Sequence, residues 1–118
     1  MTFVRQESVA VVTNSSGEST GFVGPLNGLI HAIEYAWTDF STAAALTVKT
    51  EESSRPILTV NLTSTTVAVW FPRSVSHKIA DGSTFGTEAQ VPVANERVRF
   101  VVSAGGAAKT GTFRVLTS

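Results

Sequence analysis

The strongest structural signal in this 118-residue chain lies near its C-terminus, in the runs RVRFVVS and TGTFRVL. Apolar residues alternate with other residues in both runs, and a period of two is typical of a strand that buries one face. The segment AGGAA separates the runs, and its residues Gly105 and Gly106 can take positive φ at little steric cost. We therefore predict a β-hairpin over residues 97–116. The residues predicted to share its core are Val98, Phe100, Phe113 and Val115.

The same segment contains GGAAKTG, which superficially resembles a phosphate-binding loop. That loop needs a glycine directly before its lysine, and it leads from a strand into a helix. Here Ala108 precedes Lys109, and a strand-like run follows. We therefore predict no nucleotide site in this segment.

The rest of the chain is also typical of strands, because it is rich in Val and Thr and has no convincing amphipathic helix. Seven or eight short strands with frequent turn signals predict a single-domain, all-β fold over residues 1–118, either an antiparallel β-sandwich or a barrel. Residues 1–27 are expected to form an N-terminal arm or an extra strand pair. The other predicted strands are 6–13, 20–23, 29–37, 45–50, 57–62 and 65–71, of which 45–50 turns Leu46 and Val48 inward. The heavier face predicted for 29–37 carries Leu29, His31, Ile33, Tyr35 and Trp37.

Segments 57–62 and 65–71 are predicted to pair through a turn at Thr63 and Ser64. Alternation then places Leu58, Val60 and Leu62 opposite Val67, Val69 and Phe71, and it sends Trp70 to the outer face. Residues 73–93 contain few periodic apolar positions and are predicted to form a long loop, a feature that usually carries contacts. An outward Trp before such a loop is either an interface anchor or a core residue. The residues predicted for a protein interface are Trp70, Arg73, His77 and Phe85.

Catalytic and metal-binding chemistry has little support in the sequence. His31 lies on an aromatic strand face, which favours a structural, hydrogen-bonded role. His77 lies near Ser76 and Asp81, but a catalytic triad is recognised by geometry and not by sequence proximity. Two histidines without cysteine cannot supply a zinc site, and calcium, although harder to exclude, lacks its spaced acidic loop. We expect no enzymatic activity, no cofactor and no metal.

Composition bears on partners and compartment. Nine basic and nine acidic residues leave no net charge, which argues against nucleic-acid binding. A sparsely charged surface is either meant for protein contact or simply hydrated through Ser and Thr, and the first alternative predicts a homo-oligomer, a dimer or trimer. The absence of cysteine fits a reducing cytoplasm. Arg5 and Glu7 interrupt the first apolar run, so we expect neither a signal peptide nor a membrane span.

Five blocks carry a family resemblance, in the order GLIHAIEYAWTDF, ALTVKTEE, PILTV, VAVWFPRSVSHKIADG and ERVRFVVSAGGAAKTGTFRV. In this order, the blocks resemble those of a family of small tailed-bacteriophage proteins that are encoded among virion structural genes. The resemblance covers about residues 28–116, and its last block is the most specific.

This resemblance implies a non-enzymatic component of the virion, assembled in the host cytoplasm. We expect a capsid decoration or cement protein whose partner is the major capsid protein. The alternatives are a neck, tail or baseplate component, and a carbohydrate-binding module that uses Trp70 and Phe85.

Overall fold

The computed structural model describes residues 4–77 and 79–118, except for the side chains of residues 75–77 and 85–87. It is all-β and antiparallel, which confirms the predicted fold class. No helix in the described ranges is long and apolar enough to cross a membrane. The strands are β1 (Arg5–Val12), β2 (Ser19–Trp37), β3 (Ala45–Thr50), β4 (Pro56–Asn61), β5 (Val67–Trp70), β6 (Arg73–His77), β7 (Thr84–Ser103) and β8 (Thr110–Thr117).

The strands form one continuous sheet in the order β1-β8-β2-β7-β3-β4, with β5 added to β2 and β6 added to β7. Phe100 pairs with Gly21 on β2, whereas Phe113 pairs with Tyr35, fourteen residues further along the same strand. Fourteen residues of straight strand would span about 46 Å. The rings of Phe100 and Phe113 are nevertheless 5.1 Å apart, so the sheet folds over on itself.

This folding defines two layers. The first layer consists of β1, β8, the C-terminal part of β2 and β5, and the second layer consists of the N-terminal part of β2, the C-terminal part of β7, β3 and β4. An aromatic stack lies between the layers, in which Tyr35 and Phe113 are 5.2 Å apart and Tyr35 and Phe40 are 6.1 Å apart. Burial raises the pKa of Tyr35 to about 12, and the nearby charge of Asp39 contributes to this shift.

The predicted hairpin over 97–116 is wrong in its pairing, although its core residues are confirmed. Strands β7 and β8 do not pair, because β2 lies between them in the sheet. The connection between them crosses the end of the sandwich, where Gly105 N donates to Gly17 O over 2.9 Å. Of the two glycines, Gly106 alone has positive φ, at 85°. The four predicted core residues, all fully buried, are Val98, Phe100, Phe113 and Val115.

Strand β2 also differs from its prediction, because it runs unbroken through Gly24 and Pro25. Ile30 pairs with Thr117 and Ala32 pairs with Leu116, so His31 is an extra residue in a β-bulge. A bulge shifts the alternation by one residue.

The shifted alternation changes the heavier face that the sequence predicts for β2. Ile30 and Ile33 are both buried, whereas Leu29 is 41% exposed and Trp37 is 36% exposed. The predicted face is therefore correct at Ile33 and Tyr35 and wrong at Leu29. Trp37 stays in phase with Tyr35 at the end of the strand, where its indole N–H donates to Phe40 O over 2.8 Å.

The turn between β3 and β4 is held by a carboxylate from β7. Glu96 Oε1 accepts hydrogen bonds from the backbone N–H groups of Glu52, over 2.9 Å, and Ser53, over 2.8 Å. Its Oε2 accepts one from Ser53 Oγ over 2.9 Å and lies 3.8 Å from Arg55. The backbone hydrogen bond from Ser53 is the largest contribution that lowers the pKa of Glu96.

We expect Glu96→Gln to lower the melting temperature at neutral pH and to have little effect in acid. A carboxyl group whose pKa is lowered by folding stabilises the fold above its unfolded pKa, and this contribution disappears as the pH falls through the folded pKa. Thermal melts across the acid range measure the difference. Glu18→Gln, at an exposed position, is the control. A penalty for Glu96→Gln that stays constant with pH would contradict this role of the charge.

Candidate interaction surfaces

Trp70 lies on the core side of its strand, so its predicted outward placement is wrong. Strand β5 pairs with β2 and not with β4, and its register sets Trp70 opposite Ile33 and Ala68 opposite Tyr35. The Trp70 ring stacks on the Tyr35 ring, with centroids 6.4 Å apart. The structure therefore does not support Trp70 as an exposed anchor of a protein interface.

The residues predicted to face inward from this segment are instead exposed. Val67 is 63% exposed, Val69 is 43% exposed and Phe71 is 64% exposed. Leu58 and Val60 do pack against the core, as predicted, but from β4, which pairs with β3. The run VAVWF is apolar on both faces, so its alternation gave no signal for which face is outside.

Residues 73–90 form a β-hairpin and not the predicted loop, and we call this hairpin the arm. Strand β6 pairs with the first part of β7, for example Arg73 with Gln90 and His77 with Thr84. The pairing of β7 with β2 begins only at Val91. From residue 73 to residue 89, every residue whose side chain is described is exposed, and Ile79 in the turn is 105% exposed. The described side chains of the arm thus bury little surface against the rest of the domain.

The base of the arm holds the second predicted anchor, Arg73, beside the bulge of β2. Arg73 Nη1 donates to Pro72 O over 2.7 Å and to His31 O over 3.4 Å. The side chain of Gln90 is hydrogen-bonded to His31 Nδ1. His31 is half-buried, and these contacts agree with the structural role predicted for it.

The side chains of the other two predicted anchors, His77 and Phe85, lie outside the described residues. Only their backbone places them, in opposite strands of the arm. The side chain of Asp81 accepts hydrogen bonds from the backbone N–H and the hydroxyl of Ser83, which lower the pKa of the carboxyl group. Asp81 is therefore a turn residue in this structure.

The outer face of the second layer is basic. Arg99 pairs with Phe22 on one side and with Lys49 on the other. The Arg97 guanidinium lies 4.2 Å from the centre of the Phe22 ring and forms an ion pair with Glu51 over 2.6 Å. This face therefore carries the basic residues Lys49, Arg97 and Arg99 and the acidic residue Glu51. It differs in this from β5, whose exposed residues Val67 and Val69 are apolar.

Among the described residues, no three His, Asp or Glu side chains cluster as metal ligands, and no ligand-sized cavity is present. Comparison of the chain with protein-family models gave no match, and comparison with curated proteins gave none either.

Proposed function

We propose that this protein is a non-enzymatic structural component of a tailed-bacteriophage virion, and specifically a decoration protein that binds the assembled capsid. The arm is the observation that supports this proposal. A two-stranded hairpin is marginally stable when isolated, so one that packs little against its own domain gains stability from a partner. Ile79 in its turn offers an apolar side chain that a complementary pocket would bury.

The proposed mechanism needs only binding. The sandwich provides a rigid support, since its aromatic core is fully buried. The arm reaches away from this support, and Arg73 at its base adds a guanidinium that suits a carboxylate on the capsid surface. By contacting neighbouring capsid subunits, many copies of the protein would add buried area between them and stabilise the shell.

We expect Ile79→Asp to weaken binding to capsids that lack the protein by about thirtyfold, the effect of losing about 2 kcal/mol at an interface hot spot. Ile79 is fully exposed, so the melting temperature of the variant should not change. Cosedimentation with purified capsids measures the binding. Thr20→Lys, on the outer face of the second layer, is the matched control. Binding of Ile79→Asp at the strength of the unaltered protein would contradict a role for the arm.

Particles made without this protein should assemble but rupture at a lower temperature. A neck or tail component would instead leave heads stable and block infection. Copy number per purified particle separates the two positions, because lattice decoration requires a copy at each lattice site. An axial component is present only at the portal or tail.

A further inference from the structure

The outer face of the first layer carries exposed apolar side chains between polar ones. It lies opposite the inward side chains of Tyr35 and Phe113. Along its strands it carries one acidic and one basic residue, Glu34 and Arg114, which form an ion pair over 3.7 Å. Its apolar residues include Ala10, Val12, Ala36, Val67, Val69 and Phe71.

The strand registers arrange this face in rows across the order β1-β8-β2-β5. One row carries Ser8, Arg114, Glu34 and Val69, one residue from each strand in that order. The ion pair therefore occupies the two central strands. The next row carries Ala10, Thr112, Ala36 and Val67. In these two rows, small side chains lie on β1 and bulkier ones lie on β5.

We propose that this face binds the same face of a second copy, about a twofold axis that runs along the strands between β8 and β2. The rotation places Glu34 opposite Arg114 of the partner subunit, and Arg114 opposite Glu34 of the partner subunit. Each charge therefore meets its opposite. Val69 lies over Ser8 of the partner subunit and Val67 lies over Ala10 of the partner subunit, so bulky side chains pack against small ones, as interdigitating sheets require.

Charge and area both favour a second copy as the occupant. A zero net charge removes overall repulsion between copies. The four strands are spaced about 4.8 Å apart and average about seven residues, so the face covers roughly 450 Å² per copy, or about 900 Å² in total. This is at the low end for a specific interface, so the dimer is expected to be weak and dependent on concentration.

The outer face of the second layer is a poorer candidate for self-association. There Lys49, Arg97 and Arg99 would bring like charges together across a twofold axis. The twofold dimer also leaves the arm free, because the arm is not part of the paired face. The dimer therefore does not depend on the proposed capsid role.

Paired charge reversals test the symmetry. We expect the unaltered full-length protein to show a monomer–dimer equilibrium by sedimentation between low and high micromolar concentration. Glu34→Arg and Arg114→Glu should each weaken self-association at least about tenfold, because like charges then face each other. In a mixed dimer, the new arginine of the first variant faces the new glutamate of the second, and the unaltered Arg114 and Glu34 face each other. An equimolar mixture should therefore regain the dimer.

Val69→Lys should also give a monomer, and Thr20→Lys on the outer face of the second layer should dimerise normally. Recovery in the mixture requires folded variants, so it separates a lost interface from a lost fold. A monomeric unaltered protein at every concentration, or a mixture that stays monomeric, would overturn the proposal. Loss of capsid binding by Val69→Lys, with no dimer at any concentration, would assign the face to the capsid and reject the dimer.

Discussion

Replacing Phe100 with Ala is expected to lower the free energy of unfolding by about 3–5 kcal/mol, the usual cost of removing a buried aromatic ring. The Phe100 side chain is fully buried and stacks against Phe113 at 5.1 Å between ring centres. These rings come from different layers, so the substitution leaves a cavity where the layers meet. The midpoint of urea unfolding measures the loss.

Phe71→Ala is the matched control, because it removes the same side chain from a position that is 64% exposed. It should change the unfolding free energy by less than about 0.5 kcal/mol in dilute solution, where self-association contributes nothing. Equal effects of the two substitutions would show that the layers do not meet at Phe100.

Gly21→Val is expected to cost about 3 kcal/mol, at the upper end of the usual penalty for overpacking a core. A Cβ atom at Gly21 would lie 2.5 Å from Val11 Cγ1 and 3.1 Å from Val9 Cγ2. Both valines belong to β1 in the first layer, whereas this part of β2 belongs to the second. Gly21 therefore permits the close approach of the two layers. The new side chain would push β1 outward.

A double mutant tests whether this cost comes from the contact between positions 21 and 11. Val11→Ala removes the methyl groups nearest to Gly21, so Gly21→Val combined with Val11→Ala should cost less than the sum of the two single substitutions. We expect a favourable coupling of about 1 kcal/mol or more. Simple additivity in urea unfolding would mean that the two positions do not touch.

The sequence predicted the faces of individual strands well where only one face is apolar. Alternation in RVRFVVS and TGTFRVL identified the buried residues, and Leu46 and Val48 of β3 are buried as expected. It failed for Trp70, because both faces of VAVWF are apolar. The exposed strip of Val67, Val69 and Phe71 could then be recognised only from the pairing of β5 with β2.

Two features of the candidate sites, the hairpin at residues 73–90 and the bulge at His31, could not be predicted from the sequence. Residues 73–93 were predicted to form a loop, and the side chains described between residues 73 and 89 are all exposed, with no alternation between buried and exposed positions. The segment therefore lacks the periodicity by which strands are found. The bulge at His31 also leaves no mark in the residue pattern, because a bulge is defined by the pairing of two strands, here β2 and β8.

Alternation is a property of one strand, because it depends only on side chains pointing to opposite sides of a pleated backbone. From it the sequence alone determined the all-β class and part of the core, including Phe100 and Phe113. The choice of partner for each strand depends on how the whole sheet folds over, since a strand can pair with any edge that buries its apolar face. Only the tertiary structure decided that β2 separates β7 from β8, and that Val67, Val69 and Phe71 are exposed.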